Sequence, residues 1–230
     1  MADGLLFVYT DPGPVPETEF TDWYDNEHVP ARLAVPGFTS VARYRALDGL
    51  TPPWLATYEI VPGTLESPEY KALADTASVR EKSIMSRLAG LERRVYGLVE
   101  EHYAAGRGPG SARRGGTAGG GTAGGGGDAA PVVMAVSMSV PAGTEDDVDA
   151  WYAQEHYPML LAVPGWRRVR RYRLAAGTGP AYLSLHELDG QHVFDEDRYK
   201  DATSTPWRAR ILETAIGRER RVFGLHKAWS

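Results

Sequence analysis

Two stretches decide the fold: WYDNEHVPARLAVPGF, from Trp23 to Phe38, and WYAQEHYPMLLAVPGW, from Trp151 to Trp166. They stand 128 residues apart, and the offset runs without a gap through Tyr44 and Tyr172 and again at Glu59 and Glu187. ERRVYGL from Glu92 and ERRVFGL from Glu219 repeat at an offset of 127, which needs one small indel in the preceding helical region. So extended a self-match indicates duplication and fusion of one unit.

Between the copies the composition changes abruptly. Of the 26 glycines in the 230 residues, 12 fall between Ala104 and Ala130. Such a segment has little to bury and reads as a flexible linker. The expected organisation is a first domain over 1–103, a linker over 104–130 and a second domain over 131–230.

Within each copy the periodicity reads βαββαβ. In the first, strands are expected at 5–10, 38–47, 54–61 and 93–100, with helices at 16–34 and 68–88. In the second, strands are expected at 132–140, 167–175, 181–188 and 220–227, with helices at 145–162 and 196–216. This order is the ferredoxin-like split motif, an α+β class with both helices on one face of an antiparallel sheet. The strands carry apolar residues at both parities, for instance Trp54, Tyr58 and Ile60 against Leu55, so the second face needs cover too. Two such sheets facing one another, an intramolecular barrel wrapped by four helices, satisfy both faces.

Composition removes several functions. The charge of −5 opposes phosphate-driven nucleic-acid binding. The absence of cysteine excludes disulfides, thiolate nucleophiles and cysteine-ligated metals. No apolar run approaches the ~18 residues of a membrane span, so the expected setting is the cytoplasm. GGGTAGGGG lacks the lysine and the strand–helix context of a phosphate loop, and no metal-ligand spacing stands out. The expected partner is a small-molecule substrate, and the chain is expected as a monomer that is itself a pseudo-dimer, or as a higher homo-oligomer.

The chemistry-bearing element is W-Y-x-x-E-H-x-P. On a regular helix Tyr24 and His28 share a face, as do Tyr152 and His156. An imidazole beside a phenol can work as a base or donor near neutral pH; a histidine packed under a tryptophan and hydrogen-bonded to backbone, locking the helix onto the sheet, is the alternative. On the third strand of each copy, Trp54 and Tyr58 share one face, as do Tyr182, Ser184 and His186. Having two imidazoles, His156 and His186, the second half is expected to carry the chemistry. Glu59 and Glu187 are expected to pair with Arg43, Arg45, Arg171 or Arg173. His192 and His102 read as solvated, and His226 lies on the last strand.

W-Y-x-x-E-H-x-P, L-A-V-P-G-[FW] and the terminal E-R-R-V-[YF]-G-L together resemble the EthD-like family of dimeric α+β barrel proteins, over roughly 95 residues of each half. The resemblance implies a barrel whose interior holds a small ligand, with the family histidine at His28 and His156. It implies a cofactor-independent enzyme on a small apolar or aromatic, polyketide-like molecule, using His/Tyr acid–base chemistry for cyclisation, dehydration or isomerisation, a lyase or isomerase. Its relatives include cofactor-free monooxygenases and haem enzymes; haem here would take His186 or His226 as axial ligand. A non-catalytic binding protein is a further alternative.

Overall fold

The computed structural model describes residues 3–108 and 129–230, so most of the glycine-rich segment lies outside the described residues. The strands are β1 (Gly4–Asp11), β2 (Phe38–Ala46), β3 (Trp54–Ile60), β4 (Gly90–Tyr103), β5 (Val132–Ser139), β6 (Trp166–Ala176), β7 (Tyr182–Leu188) and β8 (Ile216–Trp229). They close into one antiparallel barrel in the order β1-β3-β2-β8-β5-β7-β6-β4. Both halves show the same element order. The barrel is closed by two ladders that cross between them, β2 with β8 and β4 with β6. The last strands are longer than expected: β4 begins at Gly90 and carries His102, and its continuation is pinned too, Arg107 binding Asp189 at 2.5 Å.

The barrel interior is solid. Leu5, Phe7 and Tyr9 of β1 point inward and meet Tyr44, Tyr96, Tyr172, Leu185 and Phe223 from both halves. Eight strands leave room for little more than side chains, and the interior expected to hold a ligand is filled with aromatic rings. The alternate residues Leu6, Val8, Trp54 and Tyr58 face outward and pack beneath helices. Full burial of each such side chain is worth about 1.5–3 kcal/mol.

The expected first helix is α1 (Glu17–Trp23) and α2 (Val29–Leu33), joined through a π-turn at Tyr24–His28, in which the Val29 N–H donates to the Tyr24 carbonyl. The second half repeats this with α5 (Glu145–Trp151), a π-turn at Tyr152–His156 and α6 (Tyr157–Leu161). Pro30 and Pro158 explain the widening: each lacks an N–H, and its ring would strike the carbonyl four residues back. The turn after each helix needs glycine. Gly37 has φ +102°, and a Cβ there would lie 2.0 Å from Thr64 Oγ1; Gly165 has φ +86°, and a Cβ would lie 2.7 Å from Val193. That is the physical content of the repeated V-P-G.

The expected second helices are each broken: α3 (Pro68–Asp75) with α4 (Val79–Met85), and α7 (Asp197–Thr203) with α8 (Pro206–Thr214). Ser78 and Thr205 restart them as N-caps, accepting from the N–H groups of Glu81 and Arg208. Glu59 and Glu187 do not pair with the expected arginines. Arg170 takes both, at 2.5 and 2.9 Å, and Arg168 also binds Glu187 at 2.5 Å. The cause is barrel closure, which brings Glu59 of one half against β6 of the other.

Candidate functional site

Each half holds a cavity between the outer face of the sheet and its helices. In the first, about 110 Å³ is lined by Trp23, Tyr24, His28, Arg32, Tyr58 and the apolar side chains Leu6, Val8, Met85 and Leu88, among others. In the second, about 60 Å³ is lined by Met134, Met138, Trp151, Tyr152, His156, His186, Arg208, Arg218 and Arg220 with further residues.

The π-turn builds the histidine wall. A five-residue turn brings Trp23 beside His28, ring centroids 4.7 Å apart, and stacks Trp151 on His156 at 4.3 Å. Tyr24 stays close to His28 at 4.6 Å, whereas Tyr152 and His156 are 5.9 Å apart. The spacing of a regular helix accounts for the tyrosine neighbour, and the packed alternative, a histidine under a tryptophan, accounts for the tryptophan.

In the first cavity His28 has a carboxylate behind it. Its Nδ1 lies 3.2 Å from Glu81 Oε1, which also accepts from Arg32 at 3.1 Å. Burial, opposed by the Glu81 bond, holds the His28 pKa down to about 4, so the ring is neutral at pH 7. The bond to His28 and the nearby Arg32 keep Glu81 below the usual glutamate range. A neutral ring facing an ionised carboxylate donates Nδ1–H to it. Nε2 is left as the basic nitrogen, with no protein hydrogen-bond partner among the described residues. Across the cavity, Tyr24 and Tyr58 share a hydrogen bond at 2.6 Å. Burial raises both phenols, Tyr58 well above the ordinary value, so both stay protonated. One phenol donates to the other, and the acceptor keeps its own proton for a ligand.

Arg43 props this wall from behind. It is 1% exposed, lies 4.0 Å from the Tyr24 ring centroid and 4.5 Å from that of Trp54, and is paired with Asp25. Asp25 also accepts from His226 of β8 at 3.1 Å, tying the first helix to the other half. Trp54 thus serves the arginine and is not among the cavity-lining residues.

The second cavity lacks the carboxylate. The residue three after the helix cap, Glu81 in the first half, is Arg208 in the second. His156 has no acidic partner among the described residues. Burial and Arg208 push its pKa to about 3. His186 occupies the sheet position of Tyr58, opposite Met134 as Tyr58 is opposite Leu6. It is 2% exposed, and burial, with His156 and Arg220 nearby, holds it well below the ordinary histidine range. The Nδ1 atoms of His156 and His186 are both buried without a partner. Ser184 is tied to Tyr157 at 3.1 Å and Tyr152 at 3.5 Å, and Tyr182 packs against Arg171 at 5.0 Å; neither lines the cavity.

Of the nine candidate side chains, the structure brings Tyr24, His28 and Tyr58 together around one cavity and Tyr152, His156 and His186 around the other. Glu81, Arg208 and Arg218 were missed. The signal existed, since Glu81 faces Arg208 and Leu91 faces Arg218 when the two ERRV motifs are aligned.

The residues present do not fit a haem. The cavity at His186 is far below the roughly 300 Å³ at which sites for drug-sized ligands begin, and His226 Nε2 is engaged by Asp25.

No family model matches the chain, and no curated protein matches it. Solved structures do. An anthrone oxidase-like protein superposes with a TM-score of 0.64 at 14% identity, over 99% of this chain and 92% of its own. A Lactobacillus acidophilus protein assigned as a monooxygenase gives 0.55 at 8% identity, over 99% and 96%. A mutant chlorite dismutase from Candidatus Nitrospira defluvii gives 0.54 at 13% identity, over 97% and 90%. These likenesses show the fold alone, an α+β barrel.

Proposed function

We propose that the first cavity abstracts a proton from carbon in a small aromatic ketone or related carbon acid. The carrying observation is the Glu81–His28 pair, an imidazole held in one tautomer by a carboxylate with its basic nitrogen on the cavity wall. The C–H electron pair moves onto the substrate carbonyl oxygen as the proton passes to His28 Nε2. The oxygen of the resulting enolate receives the free O–H of the Tyr24–Tyr58 pair. Only side chains take part in this step. The cavity of about 110 Å³ is near the roughly 150 Å³ that admits a benzene ring, so one ring enters and the rest of a larger substrate stays at the mouth. Proton removal is the shared first step of isomerisation, of dehydration and of oxidation of such molecules. The anthrone oxidase-like neighbour favours oxidation as the outcome, with dioxygen as the oxidant: it adds at the deprotonated carbon, one oxygen atom stays as the new carbonyl and the other leaves as water.

We also propose that the two halves arose by duplication of an EthD-like unit over 1–103 and 131–230. The repeated motif and the π-turn at the same place in both halves support this.

The test is deuterium exchange from heavy water into 1-phenylpropan-2-one, a one-ring carbon acid, followed by NMR, with anthrone turnover in parallel. The wild-type protein accelerates exchange and His28→Ala loses the acceleration while keeping its melting temperature. Exchange by His28→Ala at the wild-type rate overturns the reading.

A further inference from the structure

The geometry points to a second ligand site: we propose that the cavity of the second half binds a small organic monocarboxylate, its apolar end on Met134, Met138 and Leu212 and its charge at Arg208, Arg218 and Arg220. This site is independent of the proton-abstraction reading and needs no turnover.

Three guanidinium groups reach one cavity of about 60 Å³. Arg218 and Arg220 stand two apart on β8 and so share the sheet face beneath the helices. Arg208 comes from the first turn of α8. None has a carboxylate within ion-pairing distance among the described residues. Arg208 donates to the Thr203 carbonyl at 2.7 Å, and Arg220 to the Tyr199 hydroxyl at 3.3 Å. Many strand arginines, among them Arg43, Arg94, Arg168, Arg170, Arg171 and Arg221, are matched to Asp or Glu, and Arg93, which donates to the Tyr70 hydroxyl, is not; what sets this cavity apart is that three such unmatched arginines line it together. Arg218 and Arg220 are exposed at the cavity mouth and Arg208 is half-buried, so the three cations draw an anion toward the opening rather than repel one another in a closed core.

A second observation points the same way. His186 is 2% exposed and His156 stands beside it on the cavity wall, each with a buried Nδ1 lacking a hydrogen bond. An orphaned buried polar atom costs about 1–3 kcal/mol, and a polar ligand group in this cavity removes that cost. The floor is thioether and aliphatic, which suits a short apolar chain better than inorganic phosphate or sulfate. The first half shows a contrast of degree. There Arg32 is neutralised by Glu81 and Leu91 stands where Arg218 does, which leaves Arg93, the counterpart of Arg220, without a carboxylate among the described residues.

The experiment is calorimetric titration of the full chain with propionate, small enough for a cavity of about 60 Å³, with the neutral isostere propionamide, and with inorganic phosphate, at low ionic strength. Propionate is expected to bind one per chain and at least about tenfold more tightly than propionamide. Arg218→Gln, which removes no protein hydrogen bond, and Arg208→Gln are each expected to weaken propionate about tenfold. Arg210→Gln, an exposed neighbour paired with Asp147, is expected to leave it unchanged. Equal affinity for propionamide overturns the proposal. So does phosphate binding without propionate binding, or a loss in Arg210→Gln as large as in Arg218→Gln.

Discussion

The two cavities occupy the same place under the same sheet and are bounded by the same W-Y-x-x-E-H-x-P helix, yet their charges differ: a carboxylate balances one of two arginines at the first, and three arginines stand unbalanced at the second. Behind His28 stands Glu81; beside His156 stands Arg208. Opposite the first histidine is a hydrogen-bonded phenol pair; opposite the second is another imidazole. A carboxylate behind an imidazole makes its far nitrogen a better base. A guanidinium beside one makes protonation harder and draws anions. One change of sign three residues after a helix cap therefore separates the cavity proposed to take a proton from the one proposed to hold an anion.

The sharpest way to break this comparison is to remove each histidine in turn. His28→Ala is expected to slow exchange into 1-phenylpropan-2-one by about 10²–10⁴-fold, the usual worth of a positioned base. His156→Ala is expected to change it less than about threefold. Loss of exchange in His156→Ala alone would move the base to the second half.

Glu81→Arg writes the second cavity's sign into the first. It is expected to slow exchange by roughly one to two orders of magnitude, with Glu81→Gln losing less, read by the same NMR assay. If Glu81→Arg exchanges like wild type, the carboxylate orients nothing.

Acid should destabilise both cavities. Unfolded histidines take up protons near pH 6.5; native His28 resists until about pH 4 and native His156 until about pH 3, and His186 is held well below 6.5. The unfolded chain therefore binds more protons below pH 6.5, and stability falls as pH falls. Each histidine contributes up to about 1.4 kcal/mol per pH unit in that window. The part due to His28 is fully lost once pH passes below about 4. Urea midpoints at pH 7.5 and pH 5 check this, and His186→Gln should flatten the slope. Equal midpoints for wild type would show that the rings are charged when folded.

The smallest effect concerns Ser184, which stands where the first half has Ala56. Ser184→Ala is expected to cost about 1 kcal/mol through the hydrogen bond to Tyr157, without altering propionate affinity. A tenfold loss of affinity would put the hydroxyl in the ligand site.

Much of this was legible in the chain. Strand alternation gave the element order, and the repeated V-P-G located a turn that only glycine can make. The unexpected parts were those that depend on closure and on local sterics. No spacing reveals that Glu59 meets Arg170 across the barrel, because their partnership exists only once β6 is brought against β4. The i, i+4 rule placed Tyr24 beside His28, while the contact with Trp23, foreseen only as a packed histidine under a tryptophan, comes from the turn that Pro30 widens to five residues. Resemblance put the ligand inside the barrel, where Phe7, Tyr9, Tyr96 and Phe223 leave no space. Glu81 escaped notice because it is an ordinary charged residue in a helix until its repeat partner, Arg208, is set beside it.

The exchange of the last strands has its own consequence. Taken alone, each half would be an open four-stranded sheet whose outer strands are β2 and β4, or β6 and β8. Those four meet each other in the closed ring, so no backbone ladder ends in solvent. If one half loosens, four unpaired edges appear together, two of them on strands of 14 residues. Such edges template pairing with other chains. Partial opening rather than full unfolding is therefore the state from which this chain should aggregate, and the residues that hold the ring shut protect its solubility as much as its shape.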